Sequence, residues 1–170
     1  AFVTKLFGAF ILYYVYTEIY RDRQTADIFK FYDDSLALAQ VFFDSPSDFI
    51  KIIIGIHEDH FLMDYFINMN HWDNSYESVI TNESRVVIKI CAIINLISLN
   101  NYIVNVIIFT MLGYIGIILT IRSLALLYPA KYVTYLFWSV VLFPSIFIWS
   151  AGVLKEPLIL LGVGMFLFGI

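Results

Sequence analysis

The chain has 170 residues, 61% of them hydrophobic, with fourteen acids against ten lysines and arginines. A net charge of −4 with no basic patch excludes a nucleic-acid binder, and the single Cys91 excludes an internal disulfide. A soluble domain is about 45–50% apolar. Here the excess is gathered into runs, and residues 102–121, 132–154 and 157–170 carry no charge at all. About twenty apolar residues span a hydrocarbon core as a helix. The sequence therefore predicts an all-α integral membrane protein, a multi-span helical bundle forming one membrane domain over 1–170.

The first predicted span covers about 1–20. It lacks the basic start and small-residue cleavage site of a secretory signal, and Tyr13, Tyr14 and Tyr16 suit an interfacial belt. Residues 21–100 follow as a long loop with twelve acids and six bases. In "TADIFKFYDDSLALAQVFF" (25–43), Ile28, Tyr32, Leu36, Ala39 and Phe42 recur at helical spacing. Asp27, Lys30 and Asp34 share the opposite face, while Asp33 points elsewhere. Ser45-Pro46 is a helix start. For Ile52–Ile54, periodicity leaves strand and helix open. "HWDNSYE" is a loop, and 82–98 is a second amphipathic helix that breaks at Leu99-Asn100-Asn101. Helices with one greasy face lie along a membrane surface, so the loop is expected to hold membrane-lying helices rather than a separate soluble domain.

Further spans are expected at about 102–122, 132–150 and 157–170 onward. The chain opens inside one apolar run and closes inside another, which predicts an N-terminal part of a longer protein. Arg122 and Lys131 lie in the short connection between the second and third spans and Lys5 at the far end of the first, and the positive-inside rule places them on the cytoplasmic side. The loop 21–100 and the Lys155-Glu156 turn then face outward.

Four residues stand out as site candidates. Asp27 and Asp34 are spaced to act as base and partner; the plainer reading is solvated charge. Lys155 and Glu156 interrupt two apolar runs, where charge costs a few kcal/mol. Glu156 before Pro157 suits a helix start, and Lys155 at the membrane surface would suit a lipid phosphate. His57-Glu58-Asp59-His60, with His71, tempts a metal reading, but lacks zinc-protease spacing, and no metal is assigned. No P-loop, G-x-G-x-x-G, C-x-x-C or nucleophile elbow occurs, so no cofactor is assigned.

"FPSIFIWSAGVLKEPL" resembles the PS-x-x-x-W-S-x-G-x-x-K-E stretch of bacterial membrane proteins of polysaccharide assembly. "ADIFKFYDDSLALA", soon after a first span, resembles the acidic start of the first outer loop in polyprenyl-phosphate-dependent glycosyltransferases of the GT-C fold. The order of one span, a long outer loop and then closely joined spans is similar as well. The resemblance implies transfer of a sugar from a polyprenyl-phosphate carrier to an acceptor glycan or protein, with membrane lipid around it. The setting would be the outer face of a bacterial inner membrane, with 21–100 in the periplasm. It implies Asp27 as the base and Lys155 with Glu156 at the donor phosphate, the two ends sharing one outward cavity. Related oligosaccharide polymerases and ligases use the same donors. Rival readings are a non-catalytic subunit or scaffold and a transporter. A transporter is expected to carry ionisable groups at mid-span, and 102–121 and 132–150 have none.

Overall fold

Phe2–Tyr14 forms the first helix, α1, and a π-helical turn, Val15–Ile19, prolongs it. The computed structural model describes residues 1–20, 23, 26–56, 65, 69, 71–72 and 83–169, and no strand occurs among them. Two compact units emerge: Ala1–Asp22 with Val106–Ile170, and Arg23–Asn105.

In the first unit α1 buries Lys5, Gly8, Ala9 and Leu12, one face at i, i+3, i+4 and i+7. Val3, Phe7 and Phe10 point outward. The helix Tyr102–Ala125, here α5, begins in the second unit and continues through the first. Ile103, Ile107, Met111 and Ile115 make an exposed apolar stripe along it at intervals of four. Phe2–Ile19 and Tyr102–Ala125, 18 and 24 residues, are long and apolar enough to cross a membrane. At 1.5 Å per residue they extend about 27 and 36 Å.

The segment 132–150 differs from its expected single span. Helix α6 covers Ala130–Val141 and α7 covers Pro144–Trp149, with Leu142 and Phe143 between them. Proline is the cause. It pushes Phe143 into an extended conformation (φ −60°, ψ 122°) and starts a new helix at its own position. The 12 residues of α6 extend about 18 Å, well short of a hydrocarbon core of about 30 Å. Ser150–Leu154 is non-helical, with Gly152 at φ 137°, a value that side chains disfavour. Helix α8 then runs from Lys155 to Gly169.

Val133, Leu136, Phe137 and Val140 of α6 pack with Ile117 and Ile121, so α6 returns along the second half of α5. Helix α8 crosses that half at glycines. A Cβ at Gly116 would overlap the Leu160 carbonyl, and one at Gly164 would overlap Gly116. Small residues allow such backbone contact between apolar helices.

The second unit holds α2 (Asp27–Asp44), α3 (Pro46–Ile54) and α4 (Glu83–Ser98). The helices expected near 27–42 and 84–98 are present, Ser45-Pro46 starts a helix as read, and Ile52–Ile54 is helical. Leu38, Val41, Phe49, Ile52, Ile88 and Ala92 pack around Trp72, which is fully buried. Residues 23–105 thus have a core of their own, where only membrane-lying helices were expected. The reason lies in α4, which is apolar on two sides. It buries Val87, Ile88, Cys91 and Ala92, and leaves Val86, Ile93 and Ile97 exposed. It ends where predicted, with Leu99 and Asn100 at positive φ (53° and 59°). The Asn101 side chain then accepts the N–H groups of Ile103 and Val104, capping α5 at 3.0 and 3.3 Å.

Candidate functional site

The non-helical stretch Ser150–Leu154 is buried along its whole length. Irregular backbone among apolar helices needs support for its polar groups, and Lys5 holds the end of α7 from which this stretch departs. Its ammonium donates to the carbonyl oxygens of Ile146 and Phe147 and to Ser150 Oγ, and the side chain is wholly buried. Ser150 Oγ in turn donates to the Ile146 carbonyl. A cation at the carbonyl end of α7 has favourable electrostatics. The sequence reading of Lys5, a charge at the end of the first span, did not include this contact: the side chain clamps the end of α7 at the helix break. The small residues Gly8 and Ala9, at i+3 and i+4, were the available signal that this face meets another segment.

Beside the break lies a cavity of about 470 Å³, lined by Ser145, Trp149, Ser150, Glu156, Ile159 and Leu160, with Ile146. Its walls are apolar apart from two hydroxyls and one carboxylate. Glu156 sits in the first turn of α8. One of its oxygens, Oε2, is buried and accepts no hydrogen bond. Lys155 is half-buried at the start of the same helix. A Cβ at Gly113, the twelfth of the 24 residues of α5, would lie 3.1 Å from both Pro157 Cα and the Ser150 carbonyl oxygen. The Lys155-Glu156 turn therefore stands beside the middle of α5. The sequence reading set it at the end of a full span; the early stop at Pro144 sets it halfway.

The other two candidates belong to the second unit. Asp27 opens α2, and its side chain lies outside the described residues. Asp34 was expected on a polar face with Asp27 and Lys30. It is instead 1% exposed, and its carboxylate accepts the backbone N–H of His71 at 2.6 Å. A buried carboxylate requires such bonds, and this one ties α2 to the chain beside Trp72. Asp33 does point elsewhere, as read, and pairs with Arg23 through two bonds of 3.0 and 2.6 Å. That pairing raises the Arg23 pKa. His57–His60 lie outside the described residues. Among the described residues no group of histidine, cysteine and acid side chains could hold a metal ion.

A buried polar chain was not foreseen. Asn105 donates to Asn95, Asn95 Nδ2 donates to Ser35 Oγ at 2.8 Å, and Ser35 donates to the Tyr32 carbonyl at 2.6 Å. All three side chains are at most 1% exposed. Asn95 and Asn105 each stand in an apolar run and Ser35 follows Asp33-Asp34, and only their meeting in space makes them a network.

Compared with family models, with curated proteins and with solved structures, the chain matches none.

Proposed function

We propose that this chain is part of an integral membrane glycosyltransferase that moves a sugar from a polyprenyl-phosphate donor to an acceptor hydroxyl on the outer face of a bacterial inner membrane. The observation that carries the reading is the polar break at Ser150–Glu156. A buried lysine, two hydroxyls and a carboxylate are gathered beside a cavity among apolar helices. Ionisable groups among apolar helices are costly and mark functional sites. Two helices able to cross a membrane and the exposed apolar stripe of α4 support the membrane setting.

In this reading Asp27 takes the acceptor proton as the acceptor oxygen bonds to the anomeric carbon. The carbon–oxygen bond to the phosphate breaks, and the phosphate leaves with the electron pair. Lys155 offsets the charge that develops on it. Asp34, tied to His71, positions α2 and does not react.

Reconstitution in liposomes with polyprenyl-phosphate sugars and a soluble acceptor tests the proposal. Wild-type protein is expected to transfer label, and Asp27→Asn to lose at least about a hundredfold of the rate, the contribution of a general base. A folded Asp27→Asn variant with full activity would refute the assignment. A second reading, transport, gains one observation: Lys5 is an ionisable group buried beside a broken helix. Flux of intact lipid-linked sugar without covalent transfer would favour it.

A further inference from the structure

We infer that the cavity beside the helix break recognises the sugar ring itself, with Glu156 accepting ring hydroxyls and Trp149 offering a stacking face. The inference rests on the transferase reading and reassigns one part of it, since Glu156 was first grouped with the donor phosphate.

Three observations converge. First, Glu156 Oε2 is buried and accepts nothing. A carboxylate serving only to start α8 would have its oxygens bonded to the first-turn N–H groups or open to water. An unpaired buried acceptor is costly, and more so when charged, and a turn about the broad terminal torsion of the Glu156 side chain would bring Oε2 to a donor in the cavity. Sugar hydroxyls are such donors, and their bonds to a carboxylate are stronger than neutral ones. A phosphate is the opposite: it brings negative charge and acceptors to a group that needs donors. Second, Trp149 lines the same cavity and is 42% exposed. The electron-rich face of an indole attracts the weakly positive C–H face of a pyranose. Third, the cavity's volume of about 470 Å³ falls in the range of small-molecule sites, about 300–1,000 Å³, where apolar walls carry a few placed polar groups. Ser145 adds a hydroxyl able to give or take a hydrogen bond, whereas Ser150 Oγ already donates to the Ile146 carbonyl and accepts from Lys5. Ser150 is fixed from behind by Lys5, which makes Lys5 a positioning residue for this wall.

Saturation-transfer NMR on the full chain in detergent, with the methyl glycosides of glucose, galactose, mannose and N-acetylglucosamine as probes, tests the site. At least one glycoside is expected to bind. Glu156→Ala and Trp149→Leu should each weaken it at least about tenfold, and the surface control Arg122→Gln should leave it unchanged. Glu156→Gln keeps the shape and guards against a folding failure; it is expected to weaken binding as well, because the charged acceptor is lost. No binding by any of the four glycosides, or unchanged binding in both Glu156 variants, overturns the inference. Glu156-dependent glycoside binding in a protein that transfers nothing from polyprenyl donors would leave this site standing and remove the transferase reading.

Discussion

Lys5 was legible as a charge but not as a contact. Its partners lie 141 to 145 positions away, a separation that no local pattern reports. With Lys5→Met the carbonyls of Ile146 and Phe147 and the Ser150 hydroxyl lose the ammonium donor. Hydrogen exchange at Ala151–Leu154 is expected to quicken, with α5 unaffected; unchanged protection there would remove Lys5 as the clamp. Cys91 gives a second test. Burial pushes its thiol from the ordinary 9.0 up to about 12. The folded pKa is raised, so its share of stability is complete below about pH 9 and is lost as pH rises toward 12. Cys91→Ala should therefore flatten the alkaline fall in denaturation midpoint between about pH 9 and pH 11. An identical fall in both proteins would contradict the burial. Asp34 shows the limit of a helical wheel. Spacing showed which residues share its face, but the core around Trp72 determined that the face would be covered.

Elements were the most legible scale. Periodicity marked α2 and α4, Ser45-Pro46 marked the start of α3, and Leu99-Asn100-Asn101 marked the end of α4. The break at Pro144 was not read, because an uncharged run of 23 residues, 132–154, looks like one span. Composition alone could not outweigh the proline, yet Phe143-Pro144 and Gly152 were the local signals. The glycine crossing was equally invisible, since closeness of Gly116 and Gly164 depends on two helices meeting. Gly116→Leu must displace the backbone of α8, and overpacking of this kind costs about 1–3 kcal/mol. A clear drop in thermal midpoint in detergent is expected. A midpoint equal to wild type would mean that α5 and α8 do not cross there. Asn101→Ala removes the α5 cap and should cost about 0.5–2 kcal/mol, measured by the same unfolding transition.

At the scale of the whole molecule, composition and charge-free runs conveyed the all-helical class and the two long apolar helices. They did not convey how far each later helix reaches. The short α6 and the Gly113 contact place the polar turn halfway along α5. If α5 crosses the bilayer, Ser145 and the cavity it lines are sunk well below the membrane surface, where the chemistry of the proposed site is shielded from bulk water. The charge expectation for the turn between α5 and α6 rests on Arg122 and Lys131, both exposed. The most direct test of this arrangement is a depth measurement. Nitroxide labels at Ser145→Cys and at Arg122→Cys, each on a Cys91→Ala background in liposomes, are compared by power saturation with oxygen and a polar nickel chelate. The arrangement predicts that the label at 145 relaxes strongly with oxygen and weakly with nickel, while the label at 122 responds to nickel as a surface site does. Equal nickel accessibility at the two positions would place the break at the membrane surface and contradict the account.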